Sequence, residues 1–166
     1  MSDTDRALQV YLDDHRAGAA AGLAVARRLA DRYGDEPGYT DLRRLAAEIE
    51  ADRDQLRAIR DHLGVESGGW KRSVALIGER LRRLKHLAPV GGRPTPSLVE
   101  ELEELSAGVY AKQRLWASLA AARIPTPAGI DPAELTGRAA DQLATLERLH
   151  RQAASDAFGA APGSSA

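Results

Sequence analysis

Apolar residues recur along this chain at alternating intervals of four and three, the spacing that lines one side of an α-helix. Over residues 4–33 the pattern runs through Leu8, Leu12, His15, Ala19, Gly22, Ala26, Leu29 and Tyr33. It resumes over 41–63 with Leu42, Leu45, Ile49, Asp52, Leu56, Ile59 and Leu63. A shorter stretch, 70–87, carries Trp70, Val74, Ile77, Leu81 and Leu84. Two long ones follow. Residues 97–123 hold Leu98, Leu102, Leu105, Val109, Lys112, Trp116 and Leu119; from 131 onward come Leu135, Ala139, Leu143, Leu146, His150 and Ala153. No stretch alternates apolar and polar residues as a half-buried strand does. The expectation is five helices, four long and one short.

The breaks between them carry helix-end chemistry. Gly34 and Gly64 stand where the first two patterns stop, the usual place for a glycine cap. Ser97 and Glu100 read as a capping box, and Asp131 with Pro132 reads as an N-cap followed by a first-turn proline. Short loops make the first pair of long helices, and the last pair, antiparallel hairpins. Residues 64–96 join the hairpins, and an 18-residue helix within them, ~27 Å long, is able to travel back along the bundle. The fold class expected is therefore all-α: a ferritin-like antiparallel four-helix bundle with one crossover connection carrying a short fifth helix. It forms a single domain over 1–158, with GAAPGSSA at 159–166 as a disordered tail.

Composition narrows the chemistry. Aromatics are only 4% of the chain, so its core is aliphatic and alanine-rich, and the absence of cysteine excludes disulfides, thiolate metal sites and cysteine nucleophiles. The N-terminus shows no basic start followed by an apolar run, and no apolar stretch approaches the roughly 18 residues that span a bilayer, so a cytoplasmic protein without a transmembrane segment is expected. A net charge of −1 hides an asymmetry. Lys71, Arg72, Arg80, Arg82, Arg83, Lys85 and Arg93 face only Glu79 within 70–93, leaving the rest of the chain acidic. That basic segment suits an anionic membrane or nucleic-acid phosphates. Its apolar stripe equally suits a strap across the bundle, its arginines answering acids such as Glu100–Glu104, and the acidic balance elsewhere favours the strap.

Polar residues on the apolar seams are the candidates for function. His15, Asp52 and Lys112 stand where the pattern calls for apolar side chains, and such residues are seldom buried unpaired. They imply either a pocket inside the bundle or a structural hydrogen-bonded set. Gly18 and Gly22 each cost the first helix about 1 kcal/mol relative to alanine. They imply close packing against a bulky neighbour such as Trp116 or Tyr110, the preferred reading, or a cavity that holds a ligand against Asp52. A di-iron or di-manganese centre in such a bundle needs two glutamates and two Glu-x-x-His pairs. The metal candidates are Glu48, Asp52, Glu147 and His150, and they fall short of that set. At the height of Asp52 the first helix offers Gly22 and its alanines instead of a carboxylate, and His15 lies seven residues, about 10 Å, further along. No Ser/His/Asp set, phosphate loop or zinc-spaced cluster is present.

Three stretches carry a resemblance: YLDDHRAG at 11–18, EIEADRDQL at 48–56 and LEELSAGVYAKQRLW at 102–116. Together they resemble a group of bacterial ferritin-like helical-bundle proteins with no established activity. The resemblance implies that His15, Asp52, Glu103, Lys112 and Trp116 belong to the group's pattern, without giving them a role. The function expected is that of a non-enzymatic binding or structural protein without a cofactor, alone or as a homodimer. The alternatives are a degenerate metal or small-molecule site built from His15, Glu48, Asp52, Lys112, Glu147 and His150, and anionic-surface binding through 70–87.

Overall fold

The computed structural model describes residues 2–65 and 96–159. The described residues form four long helices: α1 (Asp3–Tyr33), α2 (Asp41–His62), α3 (Pro96–Ala121) and α4 (Pro132–Phe158). There is no strand among the described residues. The expected short helix at 70–87, its basic residues and the tail beyond Gly159 lie outside them.

The helix ends follow local chemistry. At the start of α1, Ser2 and Asp5 form a capping box: each side chain bonds the other's backbone N–H, at 3.1 and 2.8 Å. Gly64 ends α2 with a left-handed φ of +65°, so that the Gly64 and Val65 amides reach back to the carbonyls of Asp61 and Arg60. Asp131 caps α4, its carboxylate accepting from the Ala133 amide at 2.8 Å, with Pro132 in the first turn. One expectation needs correcting. Pro96 already opens α3, so Ser97 sits inside the helix and not at its cap.

Cross-helix pairs fix the directions of packing. Arg28 and Arg32 near the end of α1 reach Glu101 near the start of α3, at 3.0 and 3.6 Å, while Tyr11 near the start of α1 meets Ser118 near the end of α3. α1 and α3 are therefore antiparallel. α4 runs against α2, because Arg148 pairs with Asp41 and Arg138 with Asp52. With two antiparallel hairpins, the helices form a ring in the order α2, α1, α3, α4, each antiparallel to its neighbours. α1–α2, α1–α3 and α3–α4 pack closely. α2 and α4 hardly approach through their backbones.

The core is aliphatic, as composition requires. Leu12, Leu29, Leu45, Ile59, Leu102, Leu105, Leu119 and Leu146 are buried together with Trp116 and Tyr39. The seams of α2 and α3 follow the expected positions. That of α4 does not. Gln142 and Leu149 are fully buried, whereas Leu143 and His150 are only half-buried. The four–three rhythm from Leu135 and Ala139 leads to Gln142 and not to the more apolar Leu143.

Candidate functional site

Asp52 on α2 is 1% exposed and is the hub of a buried polar network. Lys112 Nζ, from α3, donates to its Oδ2 at 2.5 Å. Gln142 Nε2, from α4, donates to the same oxygen at 3.1 Å, and Arg138 Nη2 donates to Oδ1. Lys112 also donates to Gln142 Oε1 at 2.5 Å, and Arg138 reaches Gln55 at 3.1 Å. Both oxygens of a carboxylate that would otherwise be costly to bury are thus satisfied. Burial, the largest influence, pushes the pKa of Lys112 below its ordinary 10.5; the Asp52 charge pulls it back up, and Arg138 lowers it again.

Next to this network is a cavity of about 250 Å³ between α1, α2 and α3. Lys112 and Asp52 line it, together with Ile49, Leu56, Leu105, Val109, Leu115 and Trp116. His15, Gly18, Ala19 and Gly22 supply the α1 wall, and Gly108 and Ala111 the facing part of α3. Asp14, Gly18, Gly108 and Ala111 are exposed and edge its mouth. Arg53, also in the lining, is held by Asp54 at 2.6 Å and Glu50 at 3.5 Å.

All six expected pocket residues (His15, Gly18, Gly22, Asp52, Lys112 and Trp116) therefore lie on one cavity. The reason preferred for the glycines is corrected. A Cβ at Gly18, Gly22 or Gly108 would meet no other heavy atom within 4 Å, apart from its own helix backbone and immediate chain neighbours. These glycines face open space, with no bulky neighbour seated against them. They also explain why the α1 seam is only half-buried at His15, Ala19 and Gly22, between the closed positions Leu12 and Ala26. Trp116 is buried, and its indole N–H finds no acceptor among the described residues, an uncommon condition for a buried donor.

The metal candidates do not converge. Glu48 pairs with Arg44 at 2.7 Å and Glu147 with Arg151 at 2.8 Å, while His150 meets Glu103 at 3.0 Å. Asp52 is saturated by two cations and an amide. Among the described residues no three His, Asp or Glu side chains are grouped to hold a metal ion. A carboxylate-bridged iron or manganese centre therefore does not fit this donor set, which offers ammonium and guanidinium groups where ligands would be needed.

Sequence reasoning missed Arg138 and Gln142, and with them one buried ion pair and one buried acid held by two half-buried arginines. Arg60 donates to Asp13 at 2.5 Å with both side chains nearly inaccessible, and Glu101, expected to answer the basic segment, is held by Arg28 and Arg32. Gln142 was readable from the unbroken seam rhythm. Arg138 had no such signal, since it reaches Asp52 from a flanking, half-exposed position 86 residues away.

His15 stacks edge-on against Tyr11, ring centroids 4.6 Å apart at 74°. Its burial disfavours the imidazolium and lowers its pKa from the ordinary 6.5, with the Asp14 charge opposing in part. Between 6.5 and the lower folded value, the unfolded chain binds more protons than the folded one. Stability contributed by neutral His15 is thus complete above pH 6.5 and lost as pH falls through that window. Urea denaturation of wild type and His15→Phe between pH 7.5 and pH 5 is expected to show a smaller fall for the variant; equal falls would mean that His15 carries none of the dependence.

Comparison of the chain with protein-family models, curated proteins and solved structures gives no match. No helix among the described residues is long and apolar enough to cross a membrane. The described residues define a class, a four-helix bundle with a mostly apolar cavity that opens at one side and holds Asp52 and Lys112 in its lining.

Proposed function

We propose that this protein is a non-enzymatic small-molecule binder, its ligand held inside a helical bundle of ferritin-like connectivity. The observation that carries this reading is a cavity of about 250 Å³ walled by aliphatic side chains and Trp116, with the buried Lys112–Asp52 pair in its lining. Ligand sites have this character: concave and mostly apolar, with a few polar groups that set orientation. Three glycines within helices that would each be more stable with alanine support it further, since nothing in their packing asks for glycine. The ferritin-like part of the proposal rests on helix direction. α2 and α3 lie parallel across the ring, so the chain leaving Val65 at one end re-enters at Pro96 at the other, as one crossover requires. The resemblance of 11–18, 48–56 and 102–116 to bacterial ferritin-like bundles agrees with this connectivity and brings no activity with it.

An engineered apolar cavity of about 150 Å³ holds benzene, so this one suits roughly ten non-hydrogen atoms. Indole, with nine, is a suitable probe. Titrating it into protein labelled at Ile, Leu and Val methyl groups is expected to move the signals of Ile49, Leu56, Leu105, Val109 and Leu115 selectively. A titration in which these methyls stay still, up to millimolar indole, would overturn the reading.

A further inference from the structure

We propose that the cavity selects a small monocarboxylate with an apolar tail, its head group received by the Lys112 ammonium. The inference rests on the cavity being a ligand site and adds the chemistry of what it takes.

Charge is the first argument. The network beside the cavity holds two cations, Lys112 of the cavity lining and Arg138 outside it, around a single carboxylate, Asp52, with neutral Gln142 bonded to both Lys112 and Asp52. Glu48, the next acid whose charge reaches Lys112, is already bound by Arg44 at 2.7 Å. The network therefore carries one positive charge more than negative; Arg138, 34% exposed, turns part of its charge to solvent, and a carboxylate entering the cavity beside Lys112 answers the excess. An amine would add a third cation, and an alcohol would leave the excess in place.

Hydrogen-bond supply is the second. An ammonium group has three donors. Asp52 and Gln142 take two of those on Lys112, leaving the third for a ligand oxygen. Lys112 itself is in the cavity lining, its side chain 14% exposed. Asp52, by contrast, has both oxygens engaged and little capacity for a ligand donor, so the polar end of the site gives hydrogen bonds and does not receive them. The ligand's polar atom must then be an acceptor.

The walls set the rest of the molecule. Ile49, Leu56, Leu105, Val109 and Leu115 offer no polar side-chain atom, so the tail is hydrocarbon or aromatic, and volume limits the whole to about ten non-hydrogen atoms. At the mouth Asp14 is acidic and Arg53 is held by Asp54 and Glu50, so the rim gives an incoming carboxylate no help and the head-group preference rests on Lys112.

Octanoate, 1-octanol and octylamine share an eight-carbon chain and differ in the head group, and isothermal titration of the full chain with each tests the proposal. Octanoate is expected to bind at least tenfold more tightly than octanol, and octylamine more weakly than either. Lys112→Met, checked for helicity and cooperative melting, is expected to lose that preference while still binding octanol. Gly22→Leu, which fills the cavity, is expected to lose all three. The comparison among ligands on wild type stands even if Lys112→Met does not fold. Octanol binding as tightly as octanoate, or octylamine more tightly, would overturn the head-group assignment and leave the ligand site intact. Binding of none of the three to folded protein, or octanoate binding undiminished by Gly22→Leu, would overturn the site itself.

Discussion

Asp52→Leu is expected to destabilise the protein by about 3 kcal/mol, although leucine is what the α2 seam asks for at that position. The loss arises from what remains. Lys112 and Arg138 would stand side by side with no anion between them, and Gln142 would lose an acceptor. Removing one member of a buried ion pair costs about 3–5 kcal/mol, and the lower end applies here because the Arg138 side chain is 34% exposed and able to turn to water. With a slope of about 2 kcal/mol per molar urea, the midpoint should fall by about 1.5 M without a change in slope. Replacing Lys112 by methionine in the same chain should recover part of the loss, since one stranded cation is removed. A single Asp52→Leu variant as stable as wild type would show that water already solvates the network and that the carboxylate contributes nothing to the fold.

The opposite sign is expected on α1 and α3. Converting Gly18, Gly22 and Gly108 together to alanine should stabilise the protein by up to about 3 kcal/mol, about 1 kcal/mol for each glycine removed from a helix interior. None of the three has a positive φ, and none has a neighbouring atom that a methyl group would strike. The added methyls project into or beside the cavity, so the gain in stability should come with weaker octanoate binding. A thermal melt and a titration on the same variant measure both. Had the glycines been needed for close helix approach, the triple variant would melt earlier than wild type, so the direction of the shift alone separates the two explanations.

That separation was beyond the sequence. Small residues one turn apart fit a tight contact and an empty space equally well, because both ask only for a missing side chain. The helices themselves were legible, since the four–three rhythm and the Gly, Pro and Asp signals at their ends are local. So were His15, Asp52 and Lys112, each a polar interruption on an apolar stripe. What Asp52 binds was not legible. Its partners come from positions 112, 138 and 142, and only the antiparallel pairing of α4 with α2 brings the last two alongside it. The metal candidates are engaged elsewhere: Glu48 and Glu147 by arginines one turn away on their own helices, which spacing does reveal, and His150 by Glu103 across the α3–α4 contact, which it does not.

The α2–α4 side of the ring has a different consequence. It is bridged by Arg138, Gln142 and Arg148, and by the Tyr39 hydroxyl on Asp156 at 2.8 Å, while the other three sides are sealed by close helix packing. Of these bridges only Arg148–Asp41 is exposed enough for salt to screen; the contacts on the buried Asp52 are screened much less. The two hairpins therefore resemble the covers of a book with the α1–α3 contact as its spine. The fore-edge of that book is closed chiefly by the buried polar contacts on Asp52, with little backbone packing behind them.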